Sequence, residues 1–208
     1  RRQRQMCIRD RMINVSGGMI RNIWGDYAGN ANIMDGIEVN LTDGELFSLN
    51  AYDGRNSSLS EGSTVVVNVA GGTVYNMIGQ ADKLCEGIVS EINFNPSEAE
   101  TPVYVGYLGG FHDINVNQNA NVIIDAEPVM DIYVIDYEKY GASADIPFYE
   151  NVYDLNVAEN AKLTTCKNAR NLLGNVLNHS GTWIANGVTT INAVSYTHLR
   201  AHETSLHL

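Results

Sequence analysis

INVSGGMIRNIWG at residues 13–25 and VNVAGGTVYNMIG at residues 67–79 align without gaps and share six identical positions. The offset between them is 54, and a fainter copy lies at residues 44–50. A second repeat pairs residues 113–122 with residues 154–163 at an offset of 41. Such offsets suit two or three coils of a solenoid whose repeats run about 20 residues or more.

Apolar residues elsewhere come in short runs broken by Gly, Asn or Asp, as at residues 65–67, 122–124 and 132–135. Runs of this kind, separated by turn residues about every ten positions, indicate an all-β chain. One stretch, residues 169–173, is compatible with a helical turn, but the surrounding pattern does not favour it. The sequence therefore predicts strands throughout.

The chemistry of the first repeat fits a parallel β-helix. In Ile13-Asn14-Val15 the two apolar side chains share one face of a strand, which leaves Asn14 facing solvent. Gly17-Gly18 permits a corner with positive φ. Asn22 and Asn76 follow the glycine pairs, where Asn tolerates a left-handed conformation. Two interpretations stay open for these asparagines: hydrogen-bonded ladders between coils, or independent surface turns.

The pattern resembles the right-handed parallel β-helix stalks of bacterial surface adhesins. The resemblance rests on LNVAENAKL at residues 155–163 and GTWIANGVTTI at residues 181–191, together with the Gly-Gly repeats. It implies a secreted or cell-surface location, a structural or adhesive role, and glycans or host and cell-surface proteins as partners. The chain departs from the pattern at residues 96–102 and 140–147, which we expect to be loops between coils.

The two ends differ from the rest of the chain. Residues 1–11 (RRQRQMCIRDR) and 194–208 resemble translated sequencing-library adapters, codon by codon over most of their length. We therefore expect a non-native tail at 1–11, a β-solenoid segment at 12–193 and a second non-native tail at 194–208. On this interpretation the solenoid is cut from a longer protein that carries the signal and anchor sequences, and Cys7 and the histidines of the tail have no functional role.

Charge excludes one class of function. The chain has 13 Lys and Arg against 24 Asp and Glu, a net charge of −11. Residues 12–193 alone have 7 basic and 22 acidic residues, a net charge of −15. A nucleic-acid binder needs a basic face, so this composition argues against one. The sequence contains no run of 18 apolar residues, so no membrane span is predicted. Cys85 and Cys166 are expected to be free thiols.

No catalytic, cofactor-binding or metal-ligating residue is predicted, and no cofactor is expected. His112-Asp113 invites an acid–base interpretation, but adjacent strand residues point to opposite faces, so a structural role is favoured. His179 is expected in a loop. Carboxylates at Asp131, Asp136 and Glu138, with a basic residue only at position 139, support an alternative function, a carbohydrate-active β-helix enzyme of the polysaccharide lyase or hydrolase type. Calcium binding stays open.

Two further alternatives concern aromatic residues and fold. The tyrosines at 133, 137 and 140 with Trp24 and Trp183 would suit glycan platforms, although ordinary strand packing is favoured. Asp-Gly pairs at residues 35–36, 43–44 and 53–54 would suit hairpin turns in tandem β-sandwich modules. The sequence thus predicts a non-catalytic solenoid segment that presents an acidic face for adhesion or spacing.

Overall fold

The computed structural model describes residues 7–26, 32–52, 58–80, 87–98, 101–124, 154–165, 171–185 and 190–198. These residues form strands, turns and irregular chain, without a helix. The strands are β1 (Cys7–Trp24), β2 (Asn32–Tyr52), β3 (Ser58–Leu59), β4 (Thr64–Val69), β5 (Thr73–Gln80), β6 (Val89–Phe94), β7 (Val103–Gly109), β8 (Asp113–Val116), β9 (Asn121–Ile124), β10 (Asp154–Val157), β11 (Lys162–Thr165), β12 (Asn171–His179), β13 (Thr182–Ala185) and β14 (Thr190–His198).

The strand pairs between described residues are parallel. The parallel sheet turns through 312° around an axis, so it nearly closes on itself. This confirms the predicted all-β parallel solenoid, while its right-handed sense stays a prediction. The hairpins of the sandwich alternative do not form, because Asp35-Gly36 and Asp43-Gly44 lie inside β2. The third pair, at 53–54, lies outside the described residues.

Each coil contributes to two stacked faces. Face 1 contains residues 10–15, residues 36–41, β4, β6, β8, β10 and residues 176–179 and 195–198. Face 2 contains residues 19–24 and 45–52, β5, β7, β9, β11 and β13. Side chains alternate between core and solvent along these strands, as in the burial of β8 and β10.

The sequence repeats correspond to coils in register. Ile13 is paired with Val39, and Val39 with Val67, so the offset of 54 spans two coils. The fainter copy at residues 44–50 is the coil between them. The offset of 41 spans a single coil, since Asp154 is paired directly with Asp113. Our expectation of two or three coils for that offset was wrong because residues 125–153 add length within one coil.

The inward side chains form one continuous core along the axis. Val39, Val67, Ile92, Ile114 and Leu155 occupy one column of face 1, and each is at most 1% exposed. Val67, Ile92 and Ile114 each pack between the equivalent core residues of the preceding and following coils. Burial of such side chains is worth about 1.5–3 kcal/mol each, which makes this column a main source of stability.

Glycines form the corner between the two faces in the first coils. Gly18, Gly44 and Gly72 have φ values of 85°, 115° and 83°. A Cβ on Gly72 would lie 2.5 Å from the Gly44 carbonyl oxygen, so both conformation and space require glycine there. In later coils the left-handed residues are Asn119 and Asn160, with φ of 63° and 60°.

The predicted positions of the left-handed asparagines were therefore wrong. Asn22 lies in β1 and Asn76 in β5, neither with positive φ. They are not neighbours either, because Ser48 lies between them in register. Extended strand continues after each glycine corner, so the left-handed turn is completed at the glycines themselves.

The remaining structural predictions have mixed outcomes. The described residues between β6 and β7 lie outside strands, which confirms a loop in this region, but the loop joins face 1 to face 2 within one coil, so its predicted position between coils was wrong. The second predicted loop, at 140–147, lies outside the described residues. Residues 171–173 form the start of β12, so no helical turn exists there. His179 is the last residue of β12, and its assignment to a loop was wrong. The proposed tail residues 7–11 and 195–198 pair in register with neighbouring coils, and their non-native origin stays a prediction.

Candidate functional site: outward columns of the two faces

An asparagine ladder runs along the outside of face 1. The side-chain amide of Asn40 donates to Asn14 Oδ1 at 2.9 Å, and Asn68 donates to Asn40 Oδ1 at 2.8 Å. The same geometry continues through the later coils, always with Nδ2 pointing towards the preceding coil. Its members are Asn14, Asn40, Asn68, Asn93, Asn115, Asn156 and Asn178, joined by bonds of 2.6 to 3.1 Å.

The sequence contains a signal for this ladder that the two gapless repeats alone do not reveal. Each member follows an apolar residue, and all but the last also precede one, as in Ile13-Asn14-Val15 and Ile92-Asn93-Phe94. The two apolar neighbours enter the core, so the central Asn must face outward at the same height in every coil. Asn14 was correctly predicted to face solvent, but its counterparts were not recognised. A second, shorter pair joins Asn117 to Asn95 at 2.9 Å.

Carboxylates occupy the column two residues before the ladder. Glu91, Asp113 and Asp154 lie on three successive coils in register, each half-exposed. Burial together with the charges of Asp154 and Glu91 raises the pKa of Asp113 above its ordinary value. Like charges directly opposite on neighbouring strands repel each other. The column therefore gives face 1 a concentrated negative potential.

The ladder amides also bind this column. Asn40 Nδ2 lies 2.9 Å from Glu38 Oε1, and Asn93 Nδ2 lies 3.1 Å from Glu91 Oε1. One amide group thus supplies donors to the preceding coil and to a carboxylate on its own strand. These contacts keep both carboxylates at fixed positions on the outside of the solenoid, where charge-assisted bonds are stronger than neutral ones.

His112 lies in a buried polar corner between β7 and β8. Its Nδ1 accepts from the Ser90 backbone N–H at 3.0 Å, which places the imidazole proton of the neutral ring on Nε2. Ser90 Oγ, also 3.0 Å from Nδ1, donates to the Gly110 carbonyl and accepts from Gln80 Nε2. Burial lowers the pKa of His112.

This serine and histidine do not form a nucleophilic pair. Ser90 is completely buried, so a substrate carbonyl has no route to its hydroxyl. Its hydrogen bonds instead connect three neighbouring segments of the corner. The geometry agrees with the structural role favoured for His112. Asp113, the next residue, contributes to the carboxylate column rather than to the His112 corner.

Face 2 carries an aromatic pair that the sequence patterns did not single out. The rings of Phe47 and Tyr75 are stacked with centroids 5.1 Å apart and an interplanar angle of 19°. The Tyr75 hydroxyl donates to Glu45 Oε1 at 2.7 Å, and this bond raises the pKa of Tyr75. Both rings are half-exposed. Stacked rings beside a carboxylate offer apolar and polar contacts together, as carbohydrate and protein partners require.

The aromatic residues considered from sequence are not part of this pair. Trp183 is 9% exposed, and its Nε1 donates to Thr165 Oγ1 at 3.4 Å, which indicates packing rather than a platform. Trp24 is half-buried at the end of β1. Outside the described residues lie Tyr133, Tyr137, Tyr140, Asp131, Asp136, Glu138, Lys139, Cys85 and Cys166.

A shallow cleft of about 170 Å³ opens beside the first coils of face 1. Asp10, Asp35 and Glu38 contribute carboxylates to its lining, and Arg11 contributes a cation. Within the described ranges, no group of three or more His, Cys, Asp or Glu side chains is arranged to hold a metal ion. In the same part of the chain there is no helix suited to crossing a membrane.

Comparison with known proteins found no matching family model, no matching curated protein and no matching solved structure.

Proposed function

We propose that this chain is a structural and adhesive β-solenoid segment of a secreted or cell-surface bacterial protein. The observation that carries the proposal is the use of outward side chains on face 1. The ladder amides bind each other and the neighbouring carboxylates, so they stiffen a stack of coils and hold its negative charge in place. A rigid rod with a fixed charged face suits spacing and multivalent contact.

The adhesive part of the proposal rests on two outward surfaces. The carboxylates Glu91, Asp113 and Asp154 would attract a basic protein surface, and the pair of Phe47 and Tyr75 would stack on the apolar face of a sugar ring. The two surfaces lie on different faces of the coil, so their contributions can be separated by substitution. A bacterial source and an envelope location are supported by the resemblance of the repeats alone.

The experiment is a binding assay with the full chain on host cells and immobilised glycans. We expect the chain to show saturable binding. This binding should be abolished by one of two variants: the triple variant Glu91→Gln, Asp113→Asn and Asp154→Asn, or the double variant Phe47→Ala and Tyr75→Ala. The matched control is Glu159→Gln, which changes an exposed carboxylate in a turn. Absence of binding, together with release of reducing or unsaturated sugars from polysaccharides, would support the enzyme alternative and contradict the proposal.

A further inference from the structure

Two Asp-Gly pairs lie in different surroundings within β2. These pairs are Asp35-Gly36 and Asp43-Gly44, and both aspartates are exposed. Gly36 is buried in a regular part of the strand, whereas Gly44 is half-exposed at the corner between the two faces. The chain thus contains the same two residue types side by side in a regular strand and in a corner, which allows the two positions to be compared.

Strand pairing fixes Gly36 on both sides but not Gly44. Gly36 lies in register with residues of β1 and of β4. At the corner the register between β1 and β2 shifts, and the paired positions of β2 pass from Asp43 to Glu45. On the other side of β2 the paired positions end at Leu41 and resume at Glu45. Gly44 therefore lies outside the paired positions of its own strand.

The backbone nitrogen of Gly44 contacts the carboxyl group of the preceding residue. Its N–H donates to Asp43 Oδ1 at 2.8 Å, in an exposed hydrogen bond. Because Oδ1 is bonded to Cγ, this contact also holds the nitrogen beside the carboxyl carbon. Groups that are held close together react faster, since their approach costs little further entropy. Asp43 and Gly44 are thus arranged for a reaction between a backbone amide and an adjacent carboxyl group.

The neighbouring coils leave space around the Asp43 side chain. The pair Gly17-Gly18 lies in the preceding coil, and the pair Gly71-Gly72 lies in the following one. A Cβ built on either residue of the first pair would meet no atom within 4 Å. Gly44 itself has no Cβ that would hinder its nitrogen. At these positions no side chain opposes rotation of the Asp43 carboxyl group towards the Gly44 nitrogen.

We propose that Asp43 is a site of spontaneous modification, at which aspartate is converted into isoaspartate. The Gly44 nitrogen forms a bond to Asp43 Cγ and loses its proton, while the protonated carboxyl group releases one oxygen as water. The product is a five-membered succinimide ring. Water then opens the ring at one of its two carbonyl carbons. Attack at Cγ restores aspartate, whereas attack at the backbone carbonyl carbon leaves Gly44 joined through Cγ, which is isoaspartate.

The modification lengthens the backbone at the corner. In isoaspartate the main chain runs through Cβ and Cγ, so it is one atom longer than in aspartate. Space is available around the exposed Asp43 side chain, but the backbones of successive coils are tightly packed along the axis. A Cβ on Gly72 would already lie 2.5 Å from the Gly44 carbonyl oxygen. The additional atom should therefore displace the corner, and the chain should lose stability as isoaspartate accumulates.

Peptide mapping of the full chain tests the proposal. Folded chain and chain unfolded in guanidinium chloride are kept for several weeks at physiological temperature, and electron-transfer mass spectrometry measures isoaspartate at Asp43 and Asp35. We expect folding to leave the rate at Asp43 unchanged or higher. It should lower the rate at Asp35 several-fold, because pairing on both sides fixes Gly36. A rate at Asp43 that folding lowers as much as the rate at Asp35 would overturn the proposal.

Two variants test the reaction path. Asp43→Glu keeps the charge but would have to close a six-membered ring, so no isomer should accumulate at this position. Asp43→Asn forms the same succinimide with ammonia in place of water as the leaving group, so it should react faster. Trapping with hydroxylamine identifies the ring, and an Asp43→Asn chain that forms it no faster than the wild type would contradict this path.

Thermal denaturation tests the consequence for stability. The Tm of the aged wild type should fall in proportion to its isoaspartate content at Asp43. The aged Asp43→Glu chain is the matched control, and it should keep the Tm of its fresh sample. Circular dichroism of the fresh chains verifies that both are folded. An aged wild type that contains isoaspartate at Asp43 but keeps its Tm would refute the displacement of the corner.

Discussion

Asn156 donates its side-chain amide to Asn115 Oδ1 at 2.8 Å, although 41 residues separate them in sequence. Elsewhere in the ladder the separations are 22 to 28 residues, with bonds of similar length. The residues between 124 and 154 thus lengthen one coil without displacing the column. A regular ladder is compatible with coils of irregular length because the strands, and not the connections, set the register.

Interior and terminal ladder positions differ in the number of bonds that they make. Asn93→Ala removes bonds to Asn68 and Glu91 and the bond from Asn115, all part-buried. We expect the free energy of unfolding to fall by about 1–2 kcal/mol. Asn14→Ala removes one exposed bond and should cost about 0.5 kcal/mol. Urea denaturation of both variants measures the difference, and equal losses would mean that the ladder does not stabilise the stack.

The glycine corner allows a matched comparison at constant backbone conformation. Gly72 and Gly62 have φ values of 83° and 84°, but a Cβ on Gly62 meets nothing within 4 Å. We expect Gly62→Ala to cost about 1 kcal/mol from conformation alone. Gly72→Ala adds overlap with the Gly44 carbonyl, so it should cost about 3 kcal/mol. Thermal denaturation gives both values, and similar costs would show that the corner relaxes around a methyl group.

His112 makes stability depend on pH near neutrality. Its folded-state pKa lies below the ordinary value of 6.5, so the unfolded chain binds the proton more tightly. The associated stability is present above about pH 6.5 and is lost as the pH falls towards the folded-state pKa. We expect the free energy of unfolding of the wild type to fall more than that of His112→Gln in this window. Urea titrations at several pH values measure this, and parallel curves would contradict it.

Asp113 has the opposite pH dependence. Its folded-state pKa is raised above the ordinary value of 3.8, so the charged form is unfavourable in the folded chain once the pH exceeds that raised pKa. Asp113→Asn should therefore raise the free energy of unfolding at neutral pH by about 0.5 kcal/mol. The gain should shrink as the pH falls towards 3.8. Glu159→Gln is the control, and an equal gain from it would assign the effect to net charge instead of the column.

The sequence was sufficient to predict the parallel stack because its signals are local. Ile13-Asn14-Val15 alternates between core and solvent, and the following glycine pair defines a corner, so the repeat specified both the strand and its end. The position of the ladder could not be recognised from one repeat alone, since Asn22 and Asn76 recur at the same offset as Asn14 and Asn68. The register, which places Ser48 between Asn22 and Asn76, distinguishes the two columns. In the sequence, the distinction becomes visible only when all the coils are compared, because every ladder asparagine follows an apolar residue, whereas Asn22 follows Arg21.

The contacts of the outward surfaces depended on pairing between coils of unequal length. Phe47 and Tyr75 stack because their coils are offset by 28 residues, whereas the next step on face 2, from Thr73 to Tyr104, is 31. Ser90 meets His112 because their segments turn at the same corner. The local sequence pattern specifies neither the 28-residue separation of Phe47 and Tyr75 nor the approach of Ser90 to His112. These contacts could therefore be found only in the structure.

The additional residues between Ile124 and Asp154, which make this coil longer than the others, also have an evolutionary consequence. Because the column on either side of it stays in register, a connection of this kind accommodates inserted or deleted sequence without cost to its neighbours. Selection can then diversify the segment that joins two coils while the strands remain unchanged. A fold of this type separates the part of the gene that must be preserved from the part that is free to vary.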